Sequence, residues 1–322
     1  MRQSWVRMFG RSERSAHRLA NAMALSLTVI FCVALPASSP AADEEPEKVA
    51  PPEEVLLETG DSLTIATTYY AGSKKLGNKV VPVMLLHTSK GNRGDFVSLA
   101  LKLQRAGHAV LVPDLRGHGD SSRMVERGRE PRSADYLAIV EPEGDMEAAK
   151  KFLMTKHNAG ELNIEKLCLV GAELGAVVAL NWAARDWDWP VLATGKQGQD
   201  VKALVLISPE WTFKGMHINE AVVDPNVRKE LSIMIIAGKG NNKMLQEARR
   251  LHSAFERYHV QGGAAPELSK QTLWLKTPST SLQGTRLLSE NSLHVDDLIL
   301  QFIDLRLVKQ PIPWVERRRP LN

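Results

Sequence analysis

The chain has 322 residues, 43% of them hydrophobic and 24% charged, an ordinary composition for a soluble globular protein of one large or two small domains. Its formal net charge of +4 lies entirely in the first 41 residues, where Arg2, Arg7, Arg11, Arg14 and Arg18 stand against Glu13. The remainder is neutral, which excludes nucleic-acid binding driven by charge.

The N-terminus reads as an export leader. An Arg-bearing segment precedes an apolar run from Ala22 to Leu35, followed by Pro36-Ala37-Ser38-Ser39-Pro40-Ala41-Ala42 with a cleavage site expected near Ala41 or Ala42. The apolar run is short of the roughly 20 residues that span a bilayer, so a membrane association is expected only if the leader is kept as an anchor. No Arg-Arg pair stands in the leader to support a twin-arginine route. Of two cysteines, Cys32 lies in the leader and Cys168 in an apolar run, so the mature protein is expected to hold no internal disulfide. These features point to an exported protein, periplasmic or extracellular, of a bacterial envelope. The organisation read from the sequence is a signal peptide over 1–41, a disordered acidic and Pro-rich linker over 42–54, a folded domain over 55–308 and a basic C-terminal tail over 309–322.

In the folded part, Val55–Thr59 and Leu63–Tyr70 flank Gly60-Asp61 as a hairpin rich in β-branched and aromatic residues. The period then changes. Val80–Leu86 is a continuous apolar run, as expected of a strand buried on both faces. Phe96–Ala106 has helical spacing, with Asp95 as a candidate N-cap and Gly107 as a stop. Strands are expected at Ala109–Val112, Leu167–Val170, Ala203–Ile207, Ile233–Ala237 and Thr272–Leu275. Helices are expected at Met146–Lys156, Leu174–Ala184, Met244–Tyr258 and Val295–Leu305. A hairpin followed by repeated strand–helix units calls for an α/β fold: a mostly parallel twisted sheet with helices on both faces. The two dozen residues between Ile207 and Leu231 leave no room for a separate lid domain. The charged loop from Ser121 to Tyr136 is placed to cover part of a site.

Five segments in fixed order resemble the α/β-hydrolase fold superfamily, over roughly residues 55–306, in its dienelactone hydrolase and serine aminopeptidase-like branch. Val83-Met84-Leu85-Leu86-His87-Thr88 is similar to the strand that leads into the oxyanion loop, with Thr88 in place of the usual Gly. Val112-Pro113-Asp114-Leu115-Arg116-Gly117-His118-Gly119-Asp120-Ser121 resembles the family's D-x-R-G-H-G-x-S turn, whose role is mainly architectural. Gly171-Ala172-Glu173-Leu174-Gly175 resembles the G-x-S-x-G nucleophile elbow, with Glu173 where Ser is expected. Ile236-Ala237-Gly238-Lys239-Gly240-Asn241 is similar to the strand end that carries the catalytic Asp, and Asn241 stands at that place. Glu210, after Ile207-Ser208-Pro209, is the alternative acid position, read as a solvated loop residue. Ser281-Leu282-Gln283-Gly284-Thr285-Arg286-Leu287-Leu288 resembles a His-Gly-Thr-x-Leu-Leu segment, with Gln283 where the His belongs.

By this resemblance Glu173, Asn241 and Gln283 occupy all three triad positions. His87, Thr88 and Leu174 belong to the oxyanion loop and elbow, with His87 read as a structural residue that orients the loop. Gln transfers no proton near neutral pH, and triad members act as a unit. The expectation is a non-catalytic hydrolase-like protein whose Glu173, Asn241 and Gln283 line a polar pocket floor, the two amides donating to the carboxylate. The alternative is an atypical ester or acyl hydrolase with Glu173 as base or nucleophile. A metal site from Glu173, His87 and His118 lacks any ligand spacing. No cofactor and no metal are expected, and the ligand is an unidentified small molecule or protein partner. His294 is read as structural, and Trp182, Trp187, Trp189 and Trp211 as mostly packed against the sheet.

Overall fold

The computed structural model describes residues 49–124, 131–193, 195–259 and 268–317, within the compact unit Glu47–Asn322. The signal-peptide reading falls outside the described residues, as do the linker as far as residue 48 and the tail beyond residue 317. In chain order the elements are β1 (Glu53–Glu58), β2 (Thr64–Tyr70), β3 (Pro82–Leu86), α1 (Val97–Arg105), β4 (Ala109–Pro113), α2 (Ser133–Ala138), α3 (Asp145–Asn158), β5 (Leu167–Ala172) and α4 (Leu174–Asp188). There follow β6 (Val201–Ile207), β7 (Thr212–Phe213), β8 (Met216–His217), α5 (Asn219–Val223), α6 (Pro225–Glu230), β9 (Ser232–Ile236), α7 (Asn242–Glu256), β10 (Leu273–Lys276), α8 (Arg286–Ser289) and α9 (Val295–Ile303).

Eight strands form one sheet in the order β1-β2-β4-β3-β5-β6-β9-β10. The N-terminal hairpin is antiparallel, β2 runs antiparallel to β4, and every later pairing is parallel. This is the α/β architecture expected from the alternation of strands and helices.

The apolar runs divide by strand parity, because successive side chains leave a strand on opposite faces. Met84, Leu86, Leu167, Leu169, Leu204, Leu206, Ile233 and Ile235 meet α3, α4 and α7 on one side. Val83, Leu85, Cys168, Val170, Val205, Ile207, Met234 and Ile236 meet α1 and α9 on the other. Every one of these side chains is fully buried. That explains why the central strands read as continuous apolar runs rather than as alternating ones.

One local expectation is corrected. The helix after β3 is capped one turn earlier than expected: Asn92 accepts from the Gly94 N–H and starts a 3-10 turn over Arg93–Phe96, so Asp95 lies inside that turn and caps nothing. His294, read as structural, is the N-cap residue of α9, its carbonyl accepting from the Leu298 N–H at 3.1 Å. It is an exposed residue in the left-handed region at the head of α9, with Nδ1 3.1 Å from Asp297.

The segment between β6 and β9 holds the β7–β8 hairpin and two short helices within the same compact unit, with no lid domain. Of the long charged loop, residues 125–130 lie outside the described residues. Its far end forms α2, whose Tyr136 ring stands edge-on to Phe213 of the hairpin at 5.2 Å. The described part of the C-terminal tail is docked. Trp314 lies on His157 with ring centroids 5.0 Å apart, and Arg317 is buried among Glu165, Asp200 and the carbonyl of Lys196.

Candidate functional site

Where β5 meets α4, the chain turns on Glu173, whose backbone sits at φ 49° and ψ −107°. A non-glycine residue in that region stores strain of about 1–3 kcal/mol and persists only where its neighbours hold it. They do so here. The Glu173 N–H donates to the Ile207 carbonyl at 2.9 Å, and the Gly175 N–H donates to the His87 carbonyl at 3.1 Å. The turn is also tight. A Cβ on Gly175 would stand 2.0 Å from the Leu86 carbonyl oxygen, and one on Gly171 2.1 Å from that of Gly175. The glycines around Glu173 are therefore required by close approach of backbone to backbone.

The Glu173 side chain is half-buried and reaches toward the loop after β10. A Cβ on Gly284 would come within 2.7 Å of Glu173 Oε1 and 3.1 Å of the Thr88 methyl. Glu173, Thr88 and Gly284 thus converge from three separate segments. Burial pushes the Glu173 carboxyl above its ordinary range, and the nearby Glu210 pushes it further, while Arg286 and Lys90 pull it back. Among the described residues no side chain or backbone group donates a hydrogen bond to its carboxylate. The N–H of buried Leu174, the first residue of α4, and that of Thr88 are likewise without an acceptor among them.

Gln283 precedes Gly284 in the same loop, and its amide bonds to groups other than Glu173. Its Oε1 accepts from Ser208 Oγ at 2.7 Å and from the Gly238 N–H at 3.3 Å, and its Nε2 donates to the Gly238 carbonyl at 3.0 Å. Ser208 Oγ in turn accepts from the Gly284 N–H at 2.9 Å. The side chain is buried, so these bonds satisfy an amide that would otherwise be costly to enclose. Asn241 is engaged elsewhere: its Oδ1 accepts from the Met244 N–H at 3.2 Å as the N-cap of α7. The expected donation by both amides to the Glu173 carboxylate is therefore not the arrangement found. Each amide answers a nearer backbone need, Gln283 at the end of β9 and Asn241 at the head of a helix.

Sequence reasoning missed Ser208 as a participant. It is fully buried, sits in the left-handed region at φ 50°, and joins the end of β6 to the Gln283 loop. The available signal was a polar residue between a buried strand and a proline, a position biased toward extended backbone that this structure overrides. Glu210 is half-buried, not fully solvated, with Oε1 3.7 Å from Lys243 Nζ.

His87 is wholly buried and fixes the loop after β3. Its Nε2 accepts from the Leu115 N–H at 3.0 Å, so Nδ1 carries the proton and donates to the Thr88 carbonyl at 2.7 Å. Burial pushes its pKa down to about 4, which keeps the ring neutral. The turn after β4 is likewise a hydrogen-bonding hub. Buried Asp114 accepts from the backbone N–H of Arg93 and of Asp120 and pairs with the Arg93 guanidinium. Arg116 pairs with Asp145 and Asp61, each at 2.6 Å. His118 spans the Arg116 and Ser89 carbonyls at 3.0 and 3.1 Å, and Ser121 Oγ donates to the Asp114 carbonyl at 2.8 Å. Each of these groups holds one loop to another.

The site therefore offers one half-buried carboxyl with two nearby backbone N–H groups, and among the described residues no imidazole or thiol bonds to that carboxyl.

A family model described as the alpha/beta hydrolase fold matches residues 81–261. Among curated proteins, Lipase 1 of Psychrobacter immobilis is 28% identical over 149 residues, covering 45% of this chain; the match spans 37% of that lipase's length. Among solved structures, an esterase of Pyrococcus furiosus superposes with a TM-score of 0.56 at 14% identity, over 80% of this chain and 93% of the esterase. The carboxylesterase EstE1, cloned from a metagenomic library, gives 0.56 at 13% identity over 82% and 91% of the two chains. The dienelactone hydrolase of Anabaena variabilis gives 0.55 at 18% identity over 80% and 99%. Likeness at such identities is a likeness of fold.

Proposed function

The chain belongs to the α/β-hydrolase fold family, and from that premise we propose that it is a non-catalytic member which retains the elbow as a polar binding site for a ligand or partner. The observation that carries this reading is the bonding of Gln283. Both atoms of its amide are tied to Ser208 and Gly238, and neither can take a proton from a group at position 173. Asn241 caps α7 and supplies no charge to the site. With nucleophile, base and acid all replaced, what remains is the frame: a strained turn, free N–H groups at Thr88 and Leu174, and a carboxyl at the floor. Fold alone does not carry activity.

We assign the chain to the branch of dienelactone hydrolases and serine aminopeptidase-like proteins, supported by the short β7–β8 and α5–α6 segment that stands where other family members insert a lid. We also read the protein as exported, on the composition of its leader. N-terminal sequencing of protein from the producing cell's envelope is expected to start near Ala42; recovery of residues 1–41 on the chain would overturn cleavage.

A second reading has its own support. Burial and Glu210 push the Glu173 carboxyl above its ordinary range, the direction that a general base for water requires. One assay separates the two. The purified protein is incubated with short-chain esters, lactones and aminoacyl substrates, and in parallel with a fluorophosphonate probe. The expected outcome is neither turnover nor labelling. Turnover that disappears in Glu173→Ala would replace the non-catalytic reading with the second one.

A further inference from the structure

A cavity of about 220 Å³ lies at the far end of α4 from the elbow, lined by Val140, Pro142, Glu147, Arg185, Asp188 and Trp189. With 15 residues in α4 and a rise of about 1.5 Å per residue, it stands roughly 22 Å along the helix from Glu173. It shares no residue with the elbow site.

Its lining has two characters. Val140, Pro142 and the Trp189 indole form apolar walls. The charged groups are unevenly matched. Arg185 is already paired, its Nη2 donating to Glu141 Oε1 at 2.6 Å. Lys150, the cation that acts most strongly on Glu147, is held by Asp186 at 2.6 Å and Asp200 at 3.2 Å. Glu147 and Asp188 make no ion pair among the described residues. Burial holds both carboxyls above their ordinary range. At Glu147, Lys150, a hydrogen bond from the Trp182 indole and Lys151 offset part of this while Asp186 adds to it; at Asp188, Asp224 adds to it and Arg185 offsets part. α4 also ends here, so the carbonyls of its last turn add partial negative charge. The Trp189 indole in the lining adds the attraction of an aromatic ring for a cation.

We propose that this cavity is a binding site for a small organic cation: an ammonium or guanidinium group on a short aliphatic arm. The charge seats between Glu147 and Asp188, and the arm lies along Val140, Pro142 and Trp189. The volume limits the ligand. It falls below the roughly 300–1,000 Å³ of sites for drug-sized molecules, so the part of the ligand it holds is about the size of an amino-acid side chain.

The test is isothermal titration of the full-length protein with agmatine, with n-pentanol as the neutral control. Asp188 is exposed and bears no fold-holding bond, so Asp188→Asn is the primary variant. Trp189→Ala is the second, and thermal melts confirm that both fold. The expected result is saturable one-to-one binding of agmatine, weakened at least tenfold in each variant, unchanged in Glu173→Gln, and absent for n-pentanol. Three results would overturn the proposal: no saturable binding of agmatine, equal binding of n-pentanol, or binding that survives in Asp188→Asn. Loss in Glu173→Gln would do the same, by placing the cation at the elbow.

Discussion

At the scale of single residues, the chemistry of the site turns on Glu173 and Gln283. A serine introduced at the elbow would inherit the left-handed turn and the free N–H groups, but it would face no acceptor for its proton. Gln283 offers an amide whose oxygen already takes the Ser208 hydroxyl and the Gly238 N–H. Glu173→Ser alone is therefore expected to show no esterase turnover above the wild-type protein and no fluorophosphonate labelling; labelling would mean that another group acts as base. The carboxyl itself has a stability signature. Its folded-state pKa lies above the ordinary value of 4.5, through burial first and Glu210 second. Such a group favours the folded state only when protonated, so ionisation costs stability as pH rises above about 4.5. Glu173→Gln removes that cost while leaving the strained backbone in place. Its melting temperature is expected to exceed that of the wild type at pH 7, with the gain vanishing by about pH 3.5. A lower value at pH 7 would show that Lys90 and Arg286 outweigh the burial.

At the scale of elements, the long strands and helices were legible because the hydrophobic period spans several turns or several residue pairs in each. α2, α5, α6, α8 and the β7–β8 hairpin were not, being too short for a period to emerge; they exist through contacts such as Tyr136 on Phe213. Helix entry was legible only where the cap lies next to the periodic run. Asn92 begins a 3-10 turn first, which drew the expected start to Asp95. Asn241 was visible in the sequence as a missing catalytic acid, whereas its bond to Met244 gives it a second identity as a helix cap. The two identities predict different mutants. Asn241→Ala should cost about 1 kcal/mol, while Asn241→Asp should be nearly neutral, since Asn and Asp cap equally well. Urea unfolding measures both, and an equal loss in the two variants would remove the capping role. The C-terminal strap makes a larger claim. Arg317 donates from Nε to Glu165 Oε1 at 2.7 Å and pairs with Asp200, while its N–H donates to Asn158 Oδ1 at 3.1 Å. Burial lifts Asp200 to a pKa of about 6 even with Lys150, Lys196 and Arg317 near it, so the site has no cation to spare. Arg317→Ala should cost on the order of 3 kcal/mol by leaving buried carboxylates under-compensated. A change of a few tenths would mean that Lys150 and Lys196 suffice.

At the scale of the whole molecule, the fold was legible because each level of the sequence points the same way: hairpin first, then doubly buried strands, then amphipathic helices between them. The site was legible only in part. Glu173 and Gln283 are anchored by neighbouring glycines and leucines, so their places in the frame could be read. Which atoms they bond could not, because Ser208 and Gly238 arrive from β6 and β9, far off in sequence. The edges of the folded unit have the same character. Composition suggests a domain over 55–308, since the acidic Pro-rich stretch before it and the basic stretch after it look solvated. The structure carries bonds beyond both limits. On the N-terminal side, Gln104 Nε2 donates to the Ala50 carbonyl at 3.0 Å, and Glu54 accepts from Thr68 at 2.8 Å and from Arg93 at 2.9 Å. On the other side, Asn163 donates to the Ile312 carbonyl at 3.3 Å, His157 donates from Nε2 to that of Val315 at 2.8 Å, and Trp314 donates to that of His157 at 3.2 Å. The C-terminal pairs tie residues 149 to 158 positions apart. A chain of residues 47–322 is therefore expected to melt within about 2 °C of the full-length protein, whereas 55–308 should melt at least about 5 °C lower, since a loss of 1 kcal/mol lowers the midpoint by roughly 2–4 °C at this size. Scanning calorimetry on the three chains decides it: equal melting of 55–308 and 47–322 would show that both flanking segments are dispensable to the fold.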